Sequence, residues 1–280
     1  MHGWRRRSRC TVWCYEEALQ CFRASLELEP ENAEFLYHQA LLLEDLERTD
    51  EAIDAYAASA SRGHSTDALI RLSALLLRVG RAADALVPAD EARSRHPLDG
   101  RGHLAAGRAA IALNRTADAE AFFRKALDVD PASEARLELA RVLHLIGKEE
   151  DGLAVLRGIE TPDTGALLLR ADIQRSLGRT DEALADEDAA IRAATEGRDL
   201  AYRHKGRLLL DLGRPKEAVA AFDAALGLDP TDAEAWFDAA RAWQALGQEG
   251  RARKLLDEAL RLDPDHAQAR RLRSEGATTD

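Results

Sequence analysis

Thiols, imidazoles and guanidinium groups are the side chains whose type and spacing bear on chemistry in this sequence. Three cysteines, Cys10, Cys14 and Cys21, fall in one short stretch not far from His2. On a helix Cys10 and Cys14 would share a face, as half of a metal site, but structural zinc sites draw their ligands from two short pairs and this is one loose cluster. No metal is expected, and an odd thiol count argues against a disulfide framework. The eight histidines are scattered, and His103, His144 and His204 read as solvated or hydrogen-bonded helix residues. There is no phosphate-cradling glycine loop, no HExxH and no GxSxG elbow. Carboxylates are abundant, yet nothing selects a catalytic pair, so neither catalysis nor a cofactor is expected.

Arginine is the more pointed signal, because only five of the 39 basic residues are lysine. Arg108, Arg141, Arg207 and Arg241 recur in step with Leu41, Ala74 and Asp172, and four residues before them runs a second row of Tyr37, Ile70, Leu104, Leu137, Leu168, Arg203 and Phe237. Guanidinium groups bind carboxylates bidentately, and an apolar row takes anchor side chains. Parallel rows of this kind suit an acidic, partly apolar segment. The competing reading is a solvated face on which the arginines pair with the chain's own acids, such as Glu138 or Asp172.

Those rows need elements to hold them in step. Ala18, Ala52, Ala85, Ala119, Gly152, Ala183, Ala218 and Ala252 recur at spacings of 34, 33, 34, 33, 31, 35 and 34 residues. Twelve residues before each, from the second onward, stand Ala40, Ser73, Gly107, Ala140, Ala171, Gly206 and Ala240. Two small tracks in phase predict helical hairpins, since small residues let paired backbones approach closely. The turn of each hairpin falls on Gly80, Asn114, Gly147, Gly178, Gly213 or Gly247, which tolerate the left-handed conformation, and only Glu47 breaks the rule. Pro30, Pro97, Pro131, Pro230 and Pro264 end second helices, and Asn32, Asp99, Ser133, Asp232 and Asp265 are placed to cap the next helix in each case.

Apolar residues between these marks recur at three and four, as amphipathic helices require. Phe22, Tyr56, Phe123, Leu156, Phe222 and Leu256 fill one slot of the second helices, and Leu43, Leu76, Leu143, Leu209 and Trp243 one slot of the first. In Ala235-Trp236 through Ala240, Gly247, Ala252, Leu256, Ala259 and Asp263-Pro264, and again in Tyr202, Gly206, Gly213, Ala218, Phe222, Ala225 and Asp229-Pro230, the chain resembles the tetratricopeptide repeat family. The resemblance covers residues 15 to 264. It implies an all-α, right-handed superhelical solenoid of antiparallel helix pairs whose first helices line a concave groove that grips peptides or partner helices. The expected repeats are 15–32 (partial), 33–65, 66–99, 100–132, 133–163, 164–198, 199–232 and 233–264, with an irregular basic segment at 1–14, a capping helix at 265–273 whose inner side carries Ala267, Ala269 and Leu272, and a flexible tail at 274–280. The lysine and asparagine clamp by which one subclass holds chaperone tails has no counterpart, because Asn32 and Asn114 lie in turns.

The pattern fails in two places. Arg5, Arg6 and Arg9 stand where the first helix of the first repeat needs small or buried residues, leaving 15–28 as a lone second helix or the basic stretch as an arm with Trp4 and Trp13 that docks on an acidic partner or a second copy. Between Gly152 and Ala183 the spacing shrinks to 31, and a buried-type slot holds Glu187 within Asp186-Glu187-Asp188. A desolvated unpaired carboxylate is costly, so that helix is expected to roll outward or to pair Glu187 with an arginine, with a hinge in the same region.

With 46% apolar and 32% charged residues over 280, a folded chain is expected. The net charge of −11 repels a phosphate backbone, excluding nucleic acid as a partner. No apolar run reaches membrane-spanning length, and Ser8-Arg9-Cys10 stands where a signal peptide would turn apolar, so the expected location is cytoplasmic. The function expected is a protein–protein scaffold or adaptor. The alternatives are the substrate-recruiting segment of a larger enzyme, or a self-assembling protein whose incomplete first repeat accepts the C-terminal helix of another copy.

Overall fold

The computed structural model describes residues 9–63, 65–131 and 134–275, with side chains from Tyr15 to Ser274. The Trp4 arm, His2, Ser133, and the side chains of Cys10, Trp13 and Cys14 lie outside the described residues, as do residues 276–280 of the tail.

Among the described residues there are sixteen helices and no strand. α1 (Arg9–Leu28) stands first. Antiparallel pairs come after it: α2 (Ala33–Asp45) with α3 (Thr49–Arg62), α4 (Thr66–Arg78) with α5 (Ala82–Arg95), and α6 (Gly100–Ala112) with α7 (Thr116–Val129). α8 (Ala135–Leu145) and α9 (Glu149–Leu156) come next, then α10 (Thr164–Ser176) with α11 (Thr180–Ala193), α12 (Arg198–Asp211) with α13 (Pro215–Leu228), α14 (Ala233–Ala245) with α15 (Glu249–Leu262), and finally α16 (Ala267–Glu275). The chain divides into two compact units between Val142 and Leu143. Among the described residues no helix is long and apolar enough to cross a membrane.

The turns obey backbone sterics. Gly80, Gly147, Gly178, Gly213 and Gly247 take φ between 69° and 78°, and Asn114 takes 58°. Glu47 takes the same conformation, φ 60°, despite its side chain. The hairpin geometry overrides local preference there, at a cost that glycine does not carry. Helix starts are capped as the sequence predicts at Asn32, Asp99 and Asp232, each accepting from backbone N–H groups of the first turn. Ser65 and Asp163 do the same for α4 and α10. Asp265 does not cap α16: the helix begins at Ala267, and the N–H of Ala269 points to Nδ1 of His266 at 3.4 Å.

The small tracks lie where helices cross. Ala52, Ala85, Ala119, Ala183 and Ala218 are fully buried, as are Ala40, Ser73, Ala140 and Ala240. The Ser73 hydroxyl donates to the Ala85 carbonyl at 2.8 Å, one track bonded to the other. Ala18 departs from the register. It is half-buried while Leu19 beside it is fully buried, because α1 packs on α2 and has no hairpin partner among the described residues. The helix also starts at Arg9, six residues before the predicted partial repeat, since no proline or glycine interrupts Arg9–Leu28.

The shortened spacing after Gly152 has a local cause. α9 is eight residues long against fourteen for α3, α5, α7, α11, α13 and α15, and Gly158 and Pro162 come after it before Asp163 restarts the chain as α10.

Candidate functional site

The twelve sequence-predicted groove residues divide six to a unit. In the first unit Tyr37, Ile70, Leu104 and Leu137 are half-buried, while Arg108 and Arg141 are exposed. They recur on the first helices α2, α4, α6 and α8, because residues about 33 apart take equivalent positions on successive hairpins. Ile70, Leu104 and Arg108 line one concavity of about 600 Å³, together with Ala74, Leu77, Arg101 and Glu134. Tyr37, Leu137 and Arg141 do not reach it. Tyr37 instead packs its ring on Tyr56, centroids 5.8 Å apart.

In the second unit Asp172, Arg207, Phe237 and Arg241 meet in a larger cavity of about 790 Å³. Leu168 and Arg203 do not reach it. Arg203 is held by both oxygens of Asp232, at 2.7 and 3.0 Å. Arg175, Glu187, His204, Asp211, Glu234, Asp238 and His266 also line the cavity. The one-letter pattern marked Glu187 only as a packing irregularity and His204 as a solvated helix residue, and gave Glu234, Asp238 and His266 no role. A signal was available: Glu234 and Asp238 stand 27 and 31 residues after Arg207, within one repeat length.

That spacing decides the state of the arginines. Arg207 donates to Asp238 through Nε and to Glu234 through Nη2, the latter at 2.9 Å. Arg108 repeats the motif with Glu134 at 2.9 Å and Glu138 at 3.3 Å. Arg241 lies 3.5 Å from Asp238, and Arg141 3.7 Å from Glu138. Every arginine of the predicted row thus faces an acid of its own chain. The two units differ in how tightly. Asp238 is 1% exposed, whereas Glu138 in the equivalent place is 24% exposed. Burial drives the Asp238 carboxyl above its ordinary range even though Arg207 and Arg241 pull the other way.

Glu187 overturns the expectation that it would roll out or find an arginine. It stays inside, 2% exposed, and Oε2 has no hydrogen-bond partner. Its neighbour Asp186 takes the arginine instead, accepting from Nε of Arg170 at 2.7 Å and from Nη2, and Asp188 accepts from Lys205. Burial first, then the nearby Asp172 charge, pushes the Glu187 carboxyl up to about 8, so it stays neutral and escapes the cost of a buried unpaired charge. Burial likewise lowers His204. Among the described residues no group of three or more His, Cys, Asp or Glu is arranged to hold a metal ion.

Comparison with known proteins agrees with the hairpin geometry. One tetratricopeptide repeat family pattern matches residues 15–68, 70–133 and 104–166, and a second, also described as tetratricopeptide repeat, matches 209–275. No curated protein matches the chain. Among solved structures, a tetratricopeptide repeat protein from Parabacteroides merdae superposes with a TM-score of 0.69 at 16% identity, over 88% of this chain and 98% of that one. Yeast Tom70 gives 0.67 at 16% identity over 95% of this chain and 59% of its own. The APC/C hetero-tetramer Cut9–Hcn1 gives 0.65 at 14% identity over 94% and 52%, so this chain spans about half of that partner's length. The paired helices with small residues at their crossings and left-handed turns between them agree with those matches, and the chain belongs to the tetratricopeptide repeat family.

Proposed function

We propose that this chain is a protein–protein interaction scaffold, and that the concavity of its first unit holds a partner segment carrying an apolar anchor beside a carboxylate. The observation that carries this reading is the juxtaposition of Ile70, Leu77 and Leu104 with Arg101 and Arg108 around about 600 Å³ of open space. An anchor side chain buried against the three aliphatic residues would contribute about 1.5–3 kcal/mol. Arg108 is already paired with the exposed Glu134 and the half-buried Glu138, and the exposed pair is worth only about 0–1 kcal/mol. An incoming carboxylate can therefore exchange for Glu134. In the second unit the buried Asp238 holds Arg207, so acid recognition belongs to the first unit. The Cut9–Hcn1 assembly shows a chain of this fold joined to another protein, in keeping with a scaffold.

The test is a display library of random dodecapeptides selected on the immobilised protein. Enrichment of Leu, Ile or Phe next to Asp or Glu, lost with Arg108→Glu and with Leu104→Asp, is the expected result. Selected peptides that bind Arg108→Glu and the wild type equally would overturn the reading.

A further inference from the structure

The cavity of the second unit differs in chemistry from that groove. Its wall carries seven carboxyl groups, of Asp172, Glu187, Asp211, Glu234, Asp238, Asp263 and Asp265, against three guanidinium groups, of Arg175, Arg207 and Arg241. Those three are already engaged. Arg175 donates to Asp211 at 2.8 Å and to Asp172 at 3.3 Å, Arg207 to Asp238 and Glu234, and Arg241 lies against Asp238. The charge left over is negative. The acids alone would be an ordinary solvated cluster.

Glu187 makes the difference. Its slot on α11 is filled on other second helices by Tyr56, Phe123, Leu156, Phe222 and Leu256, all fully or almost fully buried. Packing asks for an apolar side chain there, and the chain instead places a carboxyl in the cavity lining, its Oε2 buried and without a hydrogen-bond partner. Phe237, only 6% exposed, also lines the cavity, with Arg241 already 5.9 Å from its ring centroid and the His266 ring 4.8 Å away. We propose that this cavity binds an organic cation, an ammonium or guanidinium group whose charge is met by the Glu187 carboxylate, with Asp172 beside it and Phe237 in the same wall. This goes beyond the peptide-groove reading and does not depend on it, since it concerns the other unit and a ligand of opposite charge.

The groups facing Glu187 set the pH behaviour. They are Asp172 and Arg175 from α10, Asp186 on α11 itself and Lys205 from α12, and His204 of α12, lowered by burial and so neutral at pH 7, lines the same cavity. Burial and the two aspartates hold the proton on Glu187, while Arg175 and Lys205 work against it. With its carboxyl titrating at about 8, Glu187 is mostly protonated at pH 7. An arriving cation must expel that proton, so binding of a group that stays protonated throughout, such as a lysine ammonium, releases about one proton per cation at pH 7 and almost none at pH 9. Apparent affinity rises about ten-fold over the same range, the ratio of ionised fractions. A volume of about 790 Å³ lies within the usual range for ligand cavities and accommodates either a free polyamine or a lysine side chain of a partner.

Calorimetry on the full chain distinguishes the two sources. The probes are spermidine and the blocked tripeptide acetyl-Ala-Lys-Ala-amide, with its norleucine counterpart as control, each titrated at pH 7 and pH 9 in two buffers of different ionisation enthalpy. Saturable binding of spermidine alone would assign a free amine. Saturable binding of the lysine but not the norleucine peptide would assign a side chain. In either case Glu187→Gln should weaken binding at pH 9 at least ten-fold and abolish proton release. Because a net charge of −11 attracts cations anywhere on the surface, binding without proton release in the wild type, or binding unchanged in Glu187→Gln, would overturn the proposal, as would no binding of any probe. The proton count is read on the wild type and so does not depend on the folding of the variant.

Discussion

Gly107 on α6 faces Phe123 on α7 so closely that a Cβ at position 107 would lie 2.3 Å from Cε1 of the ring. Gly206 and Phe222 repeat the arrangement at 2.5 Å. Phe123 and Phe222 are fully buried, and each stands sixteen residues after its glycine. Where the position sixteen residues on is Leu156 or Leu256, the small residue is Ala140 or Ala240. At these two crossings glycine makes room for the phenylalanine ring, which is how a close-packed interior keeps its volume, whereas Tyr56 stands sixteen residues after Ala40 with both fully buried.

Gly107→Ala should therefore destabilise the protein by about 1–3 kcal/mol through overpacking, in spite of alanine's better helix propensity. Chemical denaturation measures it. The double variant Gly107→Ala with Phe123→Leu should recover part of the loss. An unchanged midpoint for Gly107→Ala would mean that α6 and α7 do not cross there. Ala218→Leu, at a buried crossing of the other unit, carries the same expectation of about 1–3 kcal/mol.

Glu47 gives a change of opposite sign. Its φ of 60° is one that glycine adopts freely at the equivalent turns, while an L side chain pays about 1–2 kcal/mol there. Part of the relief is offset by the greater freedom of glycine in the unfolded chain, about 0.4–1 kcal/mol. Glu47→Gly should raise stability by about 0.5–1 kcal/mol, seen as a higher melting temperature. A lower one would show that the Glu47 side chain contributes something its turn geometry does not reveal.

The buried Glu187 predicts how stability varies with pH. Its carboxyl binds a proton up to about pH 8 in the folded chain and only up to about pH 4.5 when unfolded. Over that window the native state holds the extra proton, so this residue lowers stability progressively as pH rises from about 4.5 to 8, by several kcal/mol in order of magnitude. Below the window its contribution is constant. Glu187→Gln should be close to wild type at pH 4 and markedly more stable at pH 9. A stability difference between the two proteins that does not vary from pH 4 to pH 9 would place the carboxylate in water.

Asp163 restarts the chain after the shortened α9, accepting from the Ala166 N–H at 2.8 Å. Asp163→Ala should cost about 1 kcal/mol, the usual worth of an N-cap, and hydrogen exchange should quicken at the start of α10. Exchange that quickens elsewhere and not there would assign the effect to something other than the cap.

Much of this protein is legible in one dimension because its determinants are local or periodic. Left-handed turns need glycine or asparagine, caps need a short acceptor, and a crossing needs a small residue, so Gly80, Asn32 and Ala85 announce their roles by type and by spacing. The same logic misplaces Ala18, whose crossing requires a hairpin partner, and Asp265, whose neighbour His266 stands at the helix start instead. The arginine row was also visible, but its partners were not. An ion pair depends on which side chains come within about 4 Å, and Arg207 meets Glu234 and Asp238 only because α12 and α14 stand side by side. Glu187 is the clearest case. Its sequence position marks a buried slot, yet whether a carboxyl there turns out to water, finds an arginine or stays neutral in a cavity wall is settled by the competition between desolvation and neighbouring charge, and that competition exists only once the helices are packed.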